Sequence, residues 1–164
     1  MAKLGNAAIV TALMCTAGCA GPTPQSGVTS IEARIDGLTC PTCVPPLKAS
    51  LTRAYGKSTI DVDDDKDTAI IRFDQHDRFS EAGFRAAVER VRMRVVTIRL
   101  QACGRVEAAN GARWLTAGEN RFLLRSRREV PVDQPLCLDG TLDSGATPPV
   151  FDVATFARQG ASGS

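Results

Sequence analysis

The sequence predicts an α+β protein. A ferredoxin-like β-α-β-β-α-β module over residues 28–102 is followed by a small all-β, barrel-like module over 103–158. Three observations predict this. Hydrophobic periodicity in the first stretch switches between the strand period and the helix period. The second stretch has no helical pattern, only short apolar runs broken by Gly104, Gly111, Gly118, Pro131, Pro135, Gly140 and Pro148. Between the first strand and the first helix lies Gly37-Leu38-Thr39-Cys40-Pro41-Thr42-Cys43, which sets two cysteines at the mouth of a helix.

In the first stretch, Ile31, Ala33 and Ile35 alternate with Glu32 and Arg34, as in a half-buried strand. Val44, Leu47, Leu51 and Ala54 recur at helical spacing, and Gly56 ends that helix. Pro45 and Pro46 are tolerable only in its first turn, where amide hydrogens have no intrahelical partner. Ile60 and Val62 mark a second strand, "DDDKD" a polar turn, and Ala69, Ile71 and Phe73 a third strand. Ser80 is a good N-cap, and Phe79 and Phe84 can form a hydrophobic staple around it. Phe84, Ala87, Val88 and Val91 give the second helix its buried face, and Val96, Ile98 and Leu100 the last strand. The order is the split βαβ, or ferredoxin-like, arrangement. It should gather the CxxC segment, the acidic turn Asp63-Asp64-Asp65 and Arg92-Met93-Arg94 at one end.

In the second stretch, the runs "GRVEA", "ARWL", "RFLLRS", "VPV", "PLCLDGTL" and "PVFDVATF" suggest a partly closed barrel of about five strands. Its pattern resembles OB-like barrels without a specific motif. Trp114, Phe122, Leu124, Leu136, Leu138 and Phe151 are the expected core. Arg125-Ser126-Arg127-Arg128 reads as a solvated strand or turn, with docking to an acidic surface as the sharper alternative. Nothing in this half carries catalysis, and no enzymatic activity is expected of the chain. Residues 159–164 read as a disordered tail.

The N-terminus carries an address rather than a fold. Lys3 precedes the apolar run "NAAIVTALM", too short to span a bilayer and read as part of a signal peptide over 1–18. Thr16-Ala17-Gly18-Cys19 resembles the lipobox of bacterial lipoproteins, although Thr16 stands where that family usually has Leu. The resemblance implies lipidation of Cys19 and a flexible tether over 19–27. Ala20, rather than Asp, after the cysteine implies the periplasmic side of the outer membrane within the bacterial cell envelope. An ordinary secretory signal cut near Ala20 is the plain alternative. In an exported compartment Cys103 and Cys137 are expected to form a structural disulfide, with two buried free thiols as the alternative. The formal net charge of +2 gives no reason to expect nucleic acid as a partner, and a monomer is expected.

Residues 28–102 resemble the heavy-metal-associated domain of copper chaperones, metal-pumping ATPases and the periplasmic mercury-binding protein. "GLTCPTC" stands for the family's G-M-T-C-x-x-C, with Leu38 in place of Met, while "TAIIRFD" and "FSEAGFRAAVERV" match its later strand and second helix. The resemblance implies that Cys40 and Cys43 bind a soft ion: Cu(I) foremost, with Hg(II) or Zn(II) as alternatives. It also implies a metal-handling membrane transporter or ATPase as partner. The chemistry agrees, because two thiolates on an exposed loop suit soft, low-coordinate ions, whereas structural zinc usually takes four ligands. Arg92 or Arg94 could offset the charge of a bis-thiolate complex. Met93 could pack over the site or act as a weak ligand, the plain alternative being a core side chain. The acidic turn could steer cations, though a solvated hairpin is its default reading. His76, the only histidine, is expected at the opposite end, on the surface. Two other readings stay open: a thiol-disulfide oxidoreductase using Cys40 and Cys43, and a non-catalytic interaction protein in which that pair is oxidised.

Overall fold

A computed structural model describes residues 26–74 and 78–159. Among the described residues the fold is mixed α+β, mostly strands, with two helices. Its elements run β1 (Gly27–Asp36), a 3₁₀ turn (Pro41–Cys43), α1 (Val44–Ala54), β2 (Thr59–Asp63), β3 (Thr68–Arg72), α2 (Glu81–Glu89), β4 (Arg94–Ala109), β5 (Ala112–Ala117), β6 (Asn120–Ser126), β7 (Pro135–Asp143) and β8 (Val150–Arg158). All eight strands belong to one sheet in the order β2-β3-β1-β4-β5-β6-β8-β7, and β7 pairs again with β4.

β1 is central to the first half, antiparallel to both β3 and β4. Its alternation puts Ile31, Ala33 and Ile35 on the buried face, where they join Leu47 and Leu51 of α1 and Phe84, Ala87 and Val88 of α2 in one core. The helices are tied together where the buried Ser50 hydroxyl donates to the Ala87 carbonyl at 2.7 Å. Pro45 and Pro46 sit in the first turn of α1. Ser80 caps α2 by accepting from the Gly83 amide at 3.1 Å, and Phe79 and Phe84 on either side are both buried. Tyr55, not Ala54, completes the buried face of α1; its hydroxyl donates to the Ser80 carbonyl at 2.9 Å, and its ring meets Phe73 edge-on.

Val96 departs from the sequence expectation. Arg34 pairs with Thr97 and Ile35 with Val95, so Val96 is the extra residue of a β-bulge and is 52% exposed. Val95 takes the inward place.

β4 continues through the boundary expected at 102/103. Ala102, Cys103, Gly104 and Val106 are all buried, and nothing in that stretch stops the strand. Its first part pairs with β1, its last residues (105–109) with β5, and its opposite edge with β7 over 98–105. The pairings β4–β5, β5–β6, β6–β8, β8–β7 and β7–β4 return to their starting strand, so five strands form a closed ring; only β6–β8 is parallel. Closure brings backbones close. A Cβ on Gly104 would lie 2.0 Å from the Thr116 carbonyl oxygen, and one on Gly140 would lie 2.1 Å from that of Asp152. No side chain fits at either place.

The ring's interior holds Leu115, Ala117, Phe122, Val130, Leu136, Leu138 and Phe151. Trp114, expected there, is half-buried instead. Strand alternation points Leu115 and Ala117 inward, which turns Trp114 outward, where the Arg121 guanidinium lies 4.5 Å from its ring centre. Leu124 packs against the core only in part.

Candidate functional site

The CxxC segment leaves β1 through Gly37, whose φ of +96° suits glycine. Leu38 then plugs into the core with no exposure, so the loop is anchored from below before the cysteines begin. Cys40 is extended (φ −151°, ψ 144°), as a residue before proline prefers to be. Pro41 starts the 3₁₀ turn, which the Cys43 amide closes by donating to the Cys40 carbonyl at 2.8 Å. Helix α1 follows directly, so both cysteines lie at its N-terminal end, where the helix dipole favours anionic sulfur.

Cys40 and Cys43 are joined as a disulfide, with Cα atoms 5.3 Å apart. Both are half-buried, and Cys43 also packs against the core. The Thr42 hydroxyl lies 3.2 Å from Cys40 Sγ. A disulfide sulfur carries no hydrogen, so Thr42 is the donor in this state.

The three segments expected at one end do meet there. The Ile35 amide donates to the Asp67 carbonyl at 2.8 Å, which brings the acidic turn against the end of β1. Arg94 pairs with Asp36 at 2.5 Å across the first register position of β4. Met93 is buried and packs behind Gly37, within 3.5 Å of where a Cβ there would lie. Arg92 adopts a left-handed φ of +62° and is exposed. Within the acidic turn, the Lys66 ammonium hydrogen-bonds Asp63 at 2.6 Å and holds its carboxyl below the usual range.

Sequence reasoning missed the Thr42 contact, the Asp36–Arg94 pair and the packing of Met93 on Gly37. Only the first had a local signal, a hydroxyl residue two places after a cysteine in a turn. The other two join residues far apart in sequence and depend on register.

Among the described residues, no group of three or more His, Cys, Asp or Glu side chains could hold a metal ion. Among the described residues, then, the site offers two sulfurs and no group that would close a four-ligand zinc centre. As a disulfide the pair is not a thiolate ligand set; two-electron reduction supplies one. Cys19 and His76 lie outside the described residues.

Away from this end, Cys103 and Cys137 are direct register partners on β4 and β7 and are joined as a disulfide, Cα atoms 4.0 Å apart. Arg125 of the basic run is held by Asp152 and Asp143, its charge favoured by both carboxylates, while the Arg128 guanidinium lies 5.5 Å from the Phe156 ring centre. Among the described residues, no helix is long and apolar enough to cross a membrane. No protein-family model, curated protein or solved structure matches the chain.

Proposed function

We propose that the chain is a soft-metal-binding protein of the bacterial cell envelope. In this reading it carries or sequesters Cu(I) or Hg(II) through the reduced Cys40–Cys43 pair. One observation carries it: two sulfurs converge on a half-exposed turn at a helix mouth, with no third ligand among the described residues. Two thiolates satisfy a linear soft ion and leave it open to incoming thiolates, so cargo can pass by ligand exchange. The strand order β2-β3-β1-β4, with α1 and α2 packed together on the face of Ile31 and Ile35, supports a ferredoxin-like, heavy-metal-associated first half. Lipidation at Cys19 would hold the carrier at the outer membrane, and a metal-handling transporter or ATPase would exchange cargo with it. X-ray absorption on the reduced, metal-loaded chain tests the reading. Two sulfur neighbours and no nitrogen or oxygen are expected, and a sulfur-free metal environment would overturn it.

The disulfide favours a second reading, a thiol-disulfide oxidoreductase. The element order weighs against it: β-α-β-β-α-β is not the thioredoxin order, and no proline occurs between residues 47 and 130 to face the dithiol. Insulin reduction catalysed by the chain would favour this reading over the carrier.

A further inference from the structure

We infer that the outer face of β6, with Trp114 of β5 beside it, docks on an anionic phospholipid surface. The inference rests on the lipid-anchor part of the reading above and says which side of the anchored chain meets the bilayer.

The chain enters the described fold at Ser26, whose hydroxyl accepts from the Gly118 amide at 3.0 Å in the β5–β6 turn. Gly27 lies against the same turn, its Cα 3.5 Å from where a Cβ on Gly118 would sit. Cys19 stands seven residues before Ser26, a span of at most about 25 Å. A lipid on Cys19 would keep the β5–β6 hairpin within about that distance of the bilayer. β1 then runs for ten residues, about 30 Å, before the CxxC segment begins, so the anchored end and the metal end lie at opposite ends of one strand.

The hairpin has the chemistry that a headgroup layer accepts. Arg121, Leu123 and Arg125 alternate with the buried Phe122, so they share the outer face of β6. Trp114 is the register partner of Leu123 and stands half-buried beneath the Arg121 guanidinium. Arg127 and Arg128 follow β6 and line one groove with Arg125. Arg125 is neutralised by Asp143 and Asp152. Arg121, Arg127 and Arg128 are exposed, and none has a carboxylate partner among the described residues. Glu107, across from Trp114 on β4, opposes these three charges. Glu119 and Glu129 are already paired with Arg78 and Arg113. The face therefore keeps a positive excess around an indole. Tryptophan favours the membrane–water interface, and each arginine near an anionic bilayer raises affinity about fivefold. An acidic protein would match the charge, but the short reach from Cys19 puts a bilayer beside this hairpin.

The test uses the chain from Cys19 onward, which contains every described residue, oxidised so that Cys19 is its one free thiol. Vesicles contain phosphatidylcholine and phosphatidylglycerol in equal parts. In one arm Cys19 is coupled to a maleimide-bearing lipid, and part of the phospholipid carries bromine on its acyl chains close to the headgroup. Trp114, the only tryptophan, is expected to be quenched by that bromine. In the other arm an uncoupled Cys19→Ser chain is partitioned onto the same vesicles. Arg127→Gln/Arg128→Gln is expected to lower its partition coefficient about 25-fold. Lys48→Gln/Arg53→Gln, which removes two exposed charges from α1, is expected to change it by less than about twofold. An unquenched Trp114 in the coupled chain would overturn the inference. So would equal losses from the two double variants, because net charge rather than this face would then account for binding. The coupling supplies the anchor chemically, so these results do not depend on lipidation by the cell. The anchor reading fails on a different measurement, the mass of the exported chain, and the carrier reading on absent metal binding.

Discussion

Met93 packs behind Gly37. Its Cγ is 3.5 Å from where a Cβ on Gly37 would lie, so the residue before β4 supports the turn that leads to the cysteines. Met93 is 8% exposed and belongs to the core. Met93→Ala is therefore expected to lower unfolding free energy by about 2–3 kcal/mol in denaturant titrations. Met93→Leu, which conserves volume, should retain stability within about 1.5 kcal/mol and retain metal affinity within a few-fold. A Met93→Leu variant that folds normally but loses metal would make Met93 a ligand.

Cys103–Cys137 staples β4 to β7, the two strands that also close the ring. Replacing both by serine is expected to cost about 2–4 kcal/mol. The chemical denaturation midpoint should fall while Cys40 and Cys43 keep their chemistry. An unchanged midpoint would mean that the ring is held by its core alone.

Tyr55 is the only tyrosine, so its phenolate absorbance can be titrated without interference. Burial pushes its hydroxyl up to about 12. The folded value lies above the unfolded one, near 10. The associated stability is thus fully present below about pH 10 and is lost as pH rises toward about 12, where the unfolded chain ionises more readily. The absorbance midpoint of the native protein should lie near the upper value. Tyr55→Phe should lose less stability than the parent over that pH window. A midpoint near 10 in protein that is still folded would contradict the buried placement.

Leu115 and Trp114 divide one strand between the inside and outside of the ring. Leu115→Ala is expected to cost about 3 kcal/mol, and more than Trp114→Ala, since only Leu115 is fully buried. Trp114 is the only tryptophan, so its fluorescence reports the outer face directly. An external quencher should reach it in the native state, and Arg121→Ala should increase that quenching. A fully protected Trp114 would contradict the outward placement.

The sequence made local features legible. The alternation of Ile31, Ala33 and Ile35 and the helical spacing of Leu47 and Leu51 both correspond to buried faces. The Ser80 cap and the tolerance of Pro45 and Pro46 follow from single-residue chemistry. Register was not legible. One bulge turned Val96 outward and let Val95 face in, and a one-residue shift in strand phase exchanged Trp114 for Leu115. The continuity of β4 was hidden for a related reason. Composition changes near Cys103, but burial continues through it, and strands respond to burial. At the site, the cysteines and their helix mouth could be read from the motif. The closeness of Asp36 to Arg94 and of Gly37 to Met93 required the β1–β4 pairing.

We propose that reduced Cys40 and Cys43 together bind one soft ion. The most direct measurement is an anaerobic competition titration of the reduced chain against a chromophoric Cu(I) chelator, beside a Cys40→Ser/Cys43→Ser variant, repeated with Hg(II) and Zn(II). One tight equivalent of Cu(I) or Hg(II) is expected in the parent, with weak Zn(II) binding and loss of the tight site in the variant. Equal binding by the two proteins, or none by either, would contradict it.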